Sequence, residues 1–362
     1  MENQKLNFIR HYQTDIYLGE DLFPEIAGKF NISGLPRDCV IITNENVGNL
    51  YLKDLTEALK AKNIKTTPII IKDGECFKNF ETVNNIIQQL AGQHIDRSCP
   101  IIGLGGGVVC DISGFVASTY KRGTPLILVP TSLLAMVDAS FGGKNAINTD
   151  SAKNLIGTFY HPIMTFVNIS VLKSLPLSQM YYGLVEAIKH GLIYDFAYFN
   201  FIINNLDEIK KFNLPILQRI IRRSIFIKRE FVTNDELDNG KRGHLNFGHT
   251  FGHGIETAGD YRRYNHAEAV GLGMLMAIKA SVKLGILKEN YFKMLESLLK
   301  ELDLPTQISS EVSIDKLIQA IQSDKKRNND FIKFILPENL GKTIVYKVKA
   351  NEIDRFVRDA LV

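Results

Sequence analysis

Between residues 40 and 130 short apolar runs alternate with stretches of helical periodicity, and this alternation constrains the fold more than any other feature. Val40-Ile41-Ile42-Thr43 reads as a strand, Val47 to Lys62 as a helix, Pro68 to Lys72 as a strand and Phe80 to Gly92 as a helix. Pro100 to Leu104 is a third strand that runs straight into Gly105-Gly106-Gly107, and Pro125 to Pro130 is a fourth. Strands separated by helix-length segments build βαβ units on a parallel sheet. From about Ser178 the pattern becomes helix after helix: Gln179 to Gly191, Leu214 to Phe231, His244 to Gly259 and Glu268 to Leu284. Strand-like patches return only at Phe331 to Leu336 and Thr343 to Val348. A boundary at Leu172 to Pro176 gives an α/β domain over 1–175 and a mostly α-helical domain over 176–362. The 362 residues suit two domains at about 150 residues each, with a core that needs no covalent staples.

The segment from Ile101 to Asp111 is a strand, a glycine run and a helix start. Glycines there let the backbone approach a pyrophosphate, whose charge the free N–H groups of a helix start can hold. A tight turn with no ligand would read the same way, and the contiguous glycines do not match the usual dinucleotide fingerprint. Asp73-Gly74-Glu75-Cys76-Phe77-Lys78 follows the second strand, at the same carboxyl end of the sheet, where ligands bind in such folds.

His249-Thr250-Phe251-Gly252-His253 sets two imidazoles at i and i+4 on one helix face, a spacing that suits two ligands to one metal. His266 lies just downstream, and Glu186 sits in another helix with Lys189 and His190 a turn away. Two imidazoles and a carboxylate with open positions make a catalytic zinc site. Spacing favours the pair His249 and His253 but leaves open which two of the three imidazoles bind.

Lys144, Lys153, Lys189, Lys228 and Arg242 each stand near a motif rather than in a charge run. Brought together they would hold a substrate carrying phosphate and carboxylate. With 43 basic against 39 acidic residues, the net charge of +4 is too mild to argue for nucleic acid or a membrane surface. Four cysteines without CxxC spacing read as free thiols of a reducing compartment. Met1 to Glu20 lacks the apolar core of a signal peptide and no apolar run could span a bilayer, so a cytoplasmic protein is expected.

Several runs together carry a family resemblance: Gly105-Gly106-Gly107-Val108-Val109-Cys110-Asp111, Val129 to Asp138, Gly142-Gly143-Lys144, Lys153-Asn154, Gly183 to Lys189, and Leu245 to His253. In that order and at those intervals the chain, from Asn44 to Asp324-Lys325-Lys326, closely resembles the 3-dehydroquinate synthases of the sugar phosphate cyclase family. The resemblance implies an N-terminal nucleotide-binding domain, a helical metal-binding domain, an active site between them and a homodimer. It implies zinc or cobalt on Glu186, His249 and His266, with His253 in the substrate pocket. NAD contacts would fall on Asp73, Gly74, Glu75, Cys76, Phe77, Lys78, Gly107, Val108, Val109, Cys110, Asp111, Thr131, Ser132, Lys144, Lys153, Val171, Leu172, Lys173 and Ser174. Substrate contacts would come from Arg122, Asp138, Lys144, Asn154, Lys189, Lys228, Arg242, Asn246, His253 and one lysine of Lys325-Lys326.

The implied reaction converts 3-deoxy-D-arabino-heptulosonate 7-phosphate to 3-dehydroquinate with loss of phosphate. NAD would take a hydride and return it, the metal would polarise the hydroxyl being oxidised, and the transient ketone would acidify the C–H whose loss expels phosphate. The chain departs from the family at Cys110, where Gly is usual, and at Ser132, Ala139, Asn145 and Tyr264-Asn265. Two rival enzymes fit the same plan: a sister cyclase acting on a carboxylate-free sugar phosphate, and a metal-dependent polyol dehydrogenase. A third rival is a binding protein without activity. Arg242 with Lys144 weighs against the first, the number of cations against the second, and the full set of candidate ligands against the third.

Overall fold

The computed structural model describes residues 12–150, 152–324 and 330–362. Its contacts divide the chain into two units. The first runs to Thr131 and resumes over Ala139–Ser170; the second takes Ser132–Asp138 and Val171–Val362.

In chain order the first unit holds β1 (Asp15–Gly19), α1 (Phe23–Ile32), β2 (Asp38–Asn44), α2 (Glu45–Val47), α3 (Lys53–Lys60), β3 (Lys65–Ile71), α4 (Phe80–Gly92), β4 (Ile101–Gly105), α5 (Gly107–Thr119), β5 (Leu126–Pro130), β6 (Lys144–Ile147), β7 (Ile156–Phe159) and β8 (Met164–Asn168). Six strands form one sheet in the order β1-β8-β5-β4-β2-β3, parallel throughout, while β6 and β7 make a separate antiparallel hairpin. Every residue of β4, β5 and β8 is buried, as expected for inner strands of a parallel sheet covered on both faces. The register pairs Gly105 with Pro130, so the glycine turn after β4 and Thr131 after β5 emerge side by side, tied by Thr131 N–H to the Gly105 carbonyl at 2.9 Å. Direction along the sheet reverses between β2 and β4, which makes their carboxyl ends the switch point of the fold.

The second unit holds α6 (Leu177–Tyr194), α7 (Phe196–Ile203), α8 (Leu206–Lys210), α9 (Leu214–Val232), α10 (His249–Ala258), α11 (His266–Lys283), α12 (Asn290–Glu301), α13 (Ile314–Asp324), the antiparallel pair β9 (Phe331–Asn339) and β10 (Lys342–Lys349), and α14 (Ile353–Asp359). The chain is thus an α/β unit with a parallel sheet followed by a mostly helical unit. Among the described residues no helix is long and apolar enough to cross a membrane.

Two helices differ from the sequence reading. The stretch from His244 to Gly259 is not one helix: Lys241–Asn246 forms a 3-10 turn, and α10 begins only at His249. Gly248 between them takes φ +79°, a left-handed conformation that ends one helical path and starts another. The helix expected from Glu268 instead begins at His266, because Asn265 caps it: Asn265 Oδ1 accepts from Glu268 N–H at 3.0 Å and Glu268 Oε2 accepts from Asn265 N–H at 2.9 Å. Helices α10 and α11 meet almost backbone to backbone. A Cβ on Gly273 would stand 2.1 Å from the Gly248 carbonyl oxygen, and one on Gly252 3.0 Å from that of Ala269. This approach sets His266 against the face of α10 that carries His249 and His253.

Candidate active site

In the first unit the residues expected around a nucleotide gather at the carboxyl ends of β3, β4 and β5. Gly106 caps α5 with no side-chain hydrogen bond, so the first amides of that helix, at Gly107, Val108 and Val109, have no side-chain acceptor. Gly105 must be glycine, since a Cβ there would lie 2.5 Å from that of Val109. Free amides at the start of a thirteen-residue helix are donors of the kind that can hold an anion. The Cys110 thiol lies in this turn, buried, with its Sγ 3.7 Å from the Gly105 carbonyl.

The loop after β3 is braced as a unit. Asn44 and Asn46 both donate to the Asp73 carboxylate, Asn46 at 2.7 Å. Gly74 adopts φ +118°, and Glu75–Phe77 make one 3-10 turn in which Cys76 is exposed. Lys78 is 5% exposed; its ammonium pairs with Asp111 on α5 and donates to Asn154 Oδ1 at 2.5 Å. Burial would lower the Lys78 pKa, but Asp111 and then Glu75 hold it above the usual lysine value. Asn148 ties the same parts together, donating to Glu75 Oε1 at 2.8 Å and accepting from Asn154 N–H at 2.9 Å. Lys144 and Lys153 sit on the β6–β7 hairpin and the loop that closes it. Asn145, one of the departures from the family, is buried in that hairpin and donates to the carbonyls of Gly143 and Tyr160. Arg122 is not brought here: it is exposed beyond the far end of α5, about 20 Å along the helix from Gly107.

In the second unit α6, α10 and α11 converge. Glu186 is 2% exposed, and ligand atoms of Glu186, His249 and His266 all lie within 4.8 Å of one another. The Glu186 carboxylate faces the Lys189 ammonium and lies 3.7 Å from His249 Nε2, yet neither of its oxygens accepts a regular hydrogen bond. His249 Nδ1 is 3.2 Å from the Phe247 carbonyl, an acceptor only, so that nitrogen carries the proton and Nε2 keeps its lone pair toward Glu186. Burial and then Lys189 push the His249 pKa well below its usual value, which keeps the imidazole neutral. His253 also lies on α10, exposed, its ring centroid 5.5 Å from that of His249 and 6.2 Å from that of His266. A second group of close ligand atoms joins His253, Glu256 and His266.

Behind this cluster the cations are buried. Lys228 on α9 is 6% exposed, pairs with Asp138 Oδ1 at 2.7 Å and donates to the Asp138 carbonyl. Burial would raise the Asp138 carboxyl, but Lys228 and then Lys189 hold it well below the usual carboxylate range. The buried Arg242 guanidinium donates to the Glu236 carbonyl, and its own N–H reaches Asp235 Oδ2 at 3.0 Å. His190 is fully buried, and burial followed by Lys189 pushes its pKa down to about 3. Asn246 ends the 3-10 turn, exposed. Ser132 accepts from Ala135 N–H at 3.3 Å, and Val171, Leu172, Lys173 and Ser174 form the turn leading into α6, the last two exposed. Lys325 and Lys326 lie outside the described residues. Glu256 carries no part in the sequence reading; its only signal is its place seven residues after His249, on the same face of a helix.

Comparison with known proteins gives a consistent picture. Residues 68–182 match the 3-dehydroquinate synthase N-terminal family and residues 183–327 the 3-dehydroquinate synthase C-terminal family. The chain is 39% identical over 338 residues to a 3-dehydroquinate synthase of Thermoanaerobacter sp. strain X514, covering 93% of this chain and 95% of that one. A 2-epi-5-epi-valiolone synthase of Streptomyces hygroscopicus subsp. jinggangensis, solved with NAD+ and Zn2+ bound, shares the fold at TM-score 0.89 and 23% identity over 99% of both chains. A 2-deoxy-scyllo-inosose synthase complexed with carbaglucose-6-phosphate, NAD+ and Co2+ is similar at TM-score 0.83 and 25% identity over 96% of both chains.

Proposed function

Because the chain belongs to the 3-dehydroquinate synthase family, we propose that it converts 3-deoxy-D-arabino-heptulosonate 7-phosphate to 3-dehydroquinate and phosphate, as a phosphate-eliminating lyase that depends on NAD and a divalent metal. The observation that carries this reading is the group Glu186, His249 and His266, a buried carboxylate and two part-exposed imidazoles with converging ligand atoms, beside the buried cations Lys189, Lys228 and Arg242.

The donor set suits zinc or cobalt in a catalytic site: three protein ligands with at least one position left for a substrate oxygen. The Glu186 oxygens, which accept no regular hydrogen bond, and the neutral His249 supply the donors such an ion needs. In the first unit the amides of Gly107, Val108 and Val109 hold the pyrophosphate of NAD, with Asp73 to Lys78, Cys110, Asp111 and Thr131 around it and Lys144 and Lys153 on the adjoining hairpin. Ser132 and Val171 to Ser174 are further proposed NAD contacts. When bound, NAD supplies a reversible hydride acceptor and the metal a Lewis acid for the hydroxyl being oxidised.

The remaining work falls to this chain's own side chains. Lys144, Lys189 and Lys228 hold the substrate's anionic groups as point charges, and Arg242 holds its carboxylate with two parallel donors. Asp138 keeps Lys228 in place, Asn154 and Asn246 fix hydroxyls, and the exposed His253 imidazole exchanges protons beside the metal. Arg122 is a further proposed substrate contact, and the proposed assembly is a homodimer.

Phosphate release from the heptulosonate phosphate tests the reading. Release should require NAD, stop on removal of the metal by a chelator, and produce no accumulated NADH. Release from a carboxylate-free sugar phosphate, with none from the heptulosonate, would assign the chain to a sister cyclase. Net NADH from a neutral polyol would make it a dehydrogenase.

A further inference from the structure

We infer that Glu256 is the positioning residue of His266: its buried carboxylate accepts a hydrogen bond from Nδ1–H of that imidazole and leaves Nε2 as the lone pair that faces a metal. The inference rests on the proposed ligand set of Glu186, His249 and His266.

His249, His253 and Glu256 stand at i, i+4 and i+7, so they line one face of α10. A glutamate on a helix normally points to water, yet Glu256 is 3% exposed. A carboxylate is costly to bury unless it is paired or hydrogen-bonded. Its Oε2 lies 3.5 Å from His266 Nδ1. The backbone of His266 is pinned by the capping box at the start of α11, but its side chain is 39% exposed and has room to swing. Something must hold the ring, and Glu256 is placed to do it.

The choice of nitrogen follows from valence. A neutral imidazole has one N–H and one lone pair. With Nδ1–H directed at Glu256, only Nε2 can bind a cation. His249 has the same polarity, with a carbonyl instead of a carboxylate behind it, since its Nδ1 donates to Phe247. The two imidazoles therefore present the same ring nitrogen, one backed by a neutral acceptor and one by a charged acceptor. A carboxylate behind a metal-bound imidazole raises its basicity and fixes its orientation.

The rival is that Glu256 is itself a ligand, with His253 and His266. One neutral imidazole cannot serve both groups at once. Glu256 already faces the Nδ1 side of the His266 ring, whereas Glu186, apart from its ion pair with Lys189, accepts no regular hydrogen bond and turns its other oxygen to His249 Nε2, so Glu186 is the carboxylate with a lone pair to spare.

The test is Co2+ binding by the full-length protein, measured by chelator competition and by the visible spectrum of the bound ion, for Glu256→Ala, Glu256→Gln, His253→Ala and His266→Ala. Glu256→Ala should bind Co2+ about 10- to 100-fold more weakly with an unchanged spectrum. Glu256→Gln keeps an acceptor oxygen and should fall between Ala and the native protein, at least roughly threefold weaker than native because the charge is gone. In the metal-free protein, 15N spectra of the His266 ring should show Nδ1–H in the native chain and a changed proton distribution in Glu256→Ala. Native affinity in the Ala variant overturns the inference, as does native affinity in the Gln variant should the Ala variant not fold. Loss of binding as complete as in His266→Ala, or a changed spectrum, overturns it in favour of direct ligation. Native affinity in His266→Ala would instead overturn the ligand set itself.

Discussion

Lys228 and Asp138 show how a single residue can be both costly and useful. The buried Lys228 would be unfavourable alone, and it is tolerated because the part-exposed Asp138 carboxylate is 2.7 Å away. Removing Asp138 leaves the Lys228 ammonium buried without its nearest counter-charge, and removing Lys228 takes away the nearer of the two lysines that face Asp138. Lys228→Met should therefore destabilise the protein by about 3 kcal/mol in denaturant titration, and adding Asp138→Asn should recover most of that loss. Equal stability of the single and double variants would show the pair to be energetically idle. The depressed Asp138 carboxyl adds a sign: its contribution is complete above the unfolded pKa of about 3.9 and fades only as pH falls below that, toward its folded value. The thiols behave oppositely. Burial and then Asp38 push Cys99 up to about 12. Unfolded cysteine ionises near 8.5, so the stability tied to this thiol is complete below that pH and is lost as pH rises toward 12. At pH 8 a thiol reagent should modify the exposed Cys76 quickly, and the buried Cys39, Cys99 and Cys110 only after unfolding. Fast native modification of two or more would contradict that burial. The histidines and Glu186 are legible in the chain because ligand residue types are few. Glu256 is not, because a glutamate on a helix looks like surface until packing shows where it points.

At the scale of elements the close approach of α10 and α11 does most to place the metal-ligand candidates. Gly273→Ala adds a methyl group 2.1 Å from the Gly248 carbonyl oxygen, so the helices must separate. A loss of about 1–3 kcal/mol is expected in thermal or denaturant unfolding, with weakened metal binding. Gly28→Ala is the counterpart: nothing lies within 4 Å of the added Cβ in α1, and the exchange should stabilise by about 0.4–1 kcal/mol. If both changes had the same effect, backbone contact would not be what holds these helices. The elements legible in the chain are those whose pattern is local. β4 and β5 read as strands because both are buried along their whole length, which forces continuous apolar runs. β1 is a half-exposed edge strand, and the four-residue β6 and β7 are too short for a pattern to emerge. β8 is fully buried, yet Thr165 and Asn168 interrupt its apolar run. Gly248 broke one predicted helix because its left-handed conformation depends on the packing of Met274 and Val270 around it, which no local pattern records.

For the whole molecule the telling feature is that sequence order and unit membership disagree. The chain leaves the first unit after Thr131, lends Ser132–Asp138 to the second, and returns at Ala139. The physical tie is direct: a Cβ on Gly183 of α6 would lie 2.5 Å from that of Leu133, and Asp138 is paired with Lys228. A linear reading cuts a chain once, so it has no means to assign seven residues between two strands of one unit to the other. The two units differ in architecture and in proposed ligand, and each should open with its own free energy in native-state hydrogen exchange. NAD should raise protection around the turn between β4 and α5, and a divalent metal around α6, α10 and α11, because a ligand stabilises the structure that binds it. The amide of Met136, which donates to the Ser132 carbonyl at 2.9 Å, is the reporter that matters. As denaturant rises it should exchange with the slope and free energy of its α6 neighbours, not those of β5, although β5 ends six residues before it in sequence. Exchange in step with β5 would return the segment to the first unit and leave Asp138 as a visitor to the second rather than part of it.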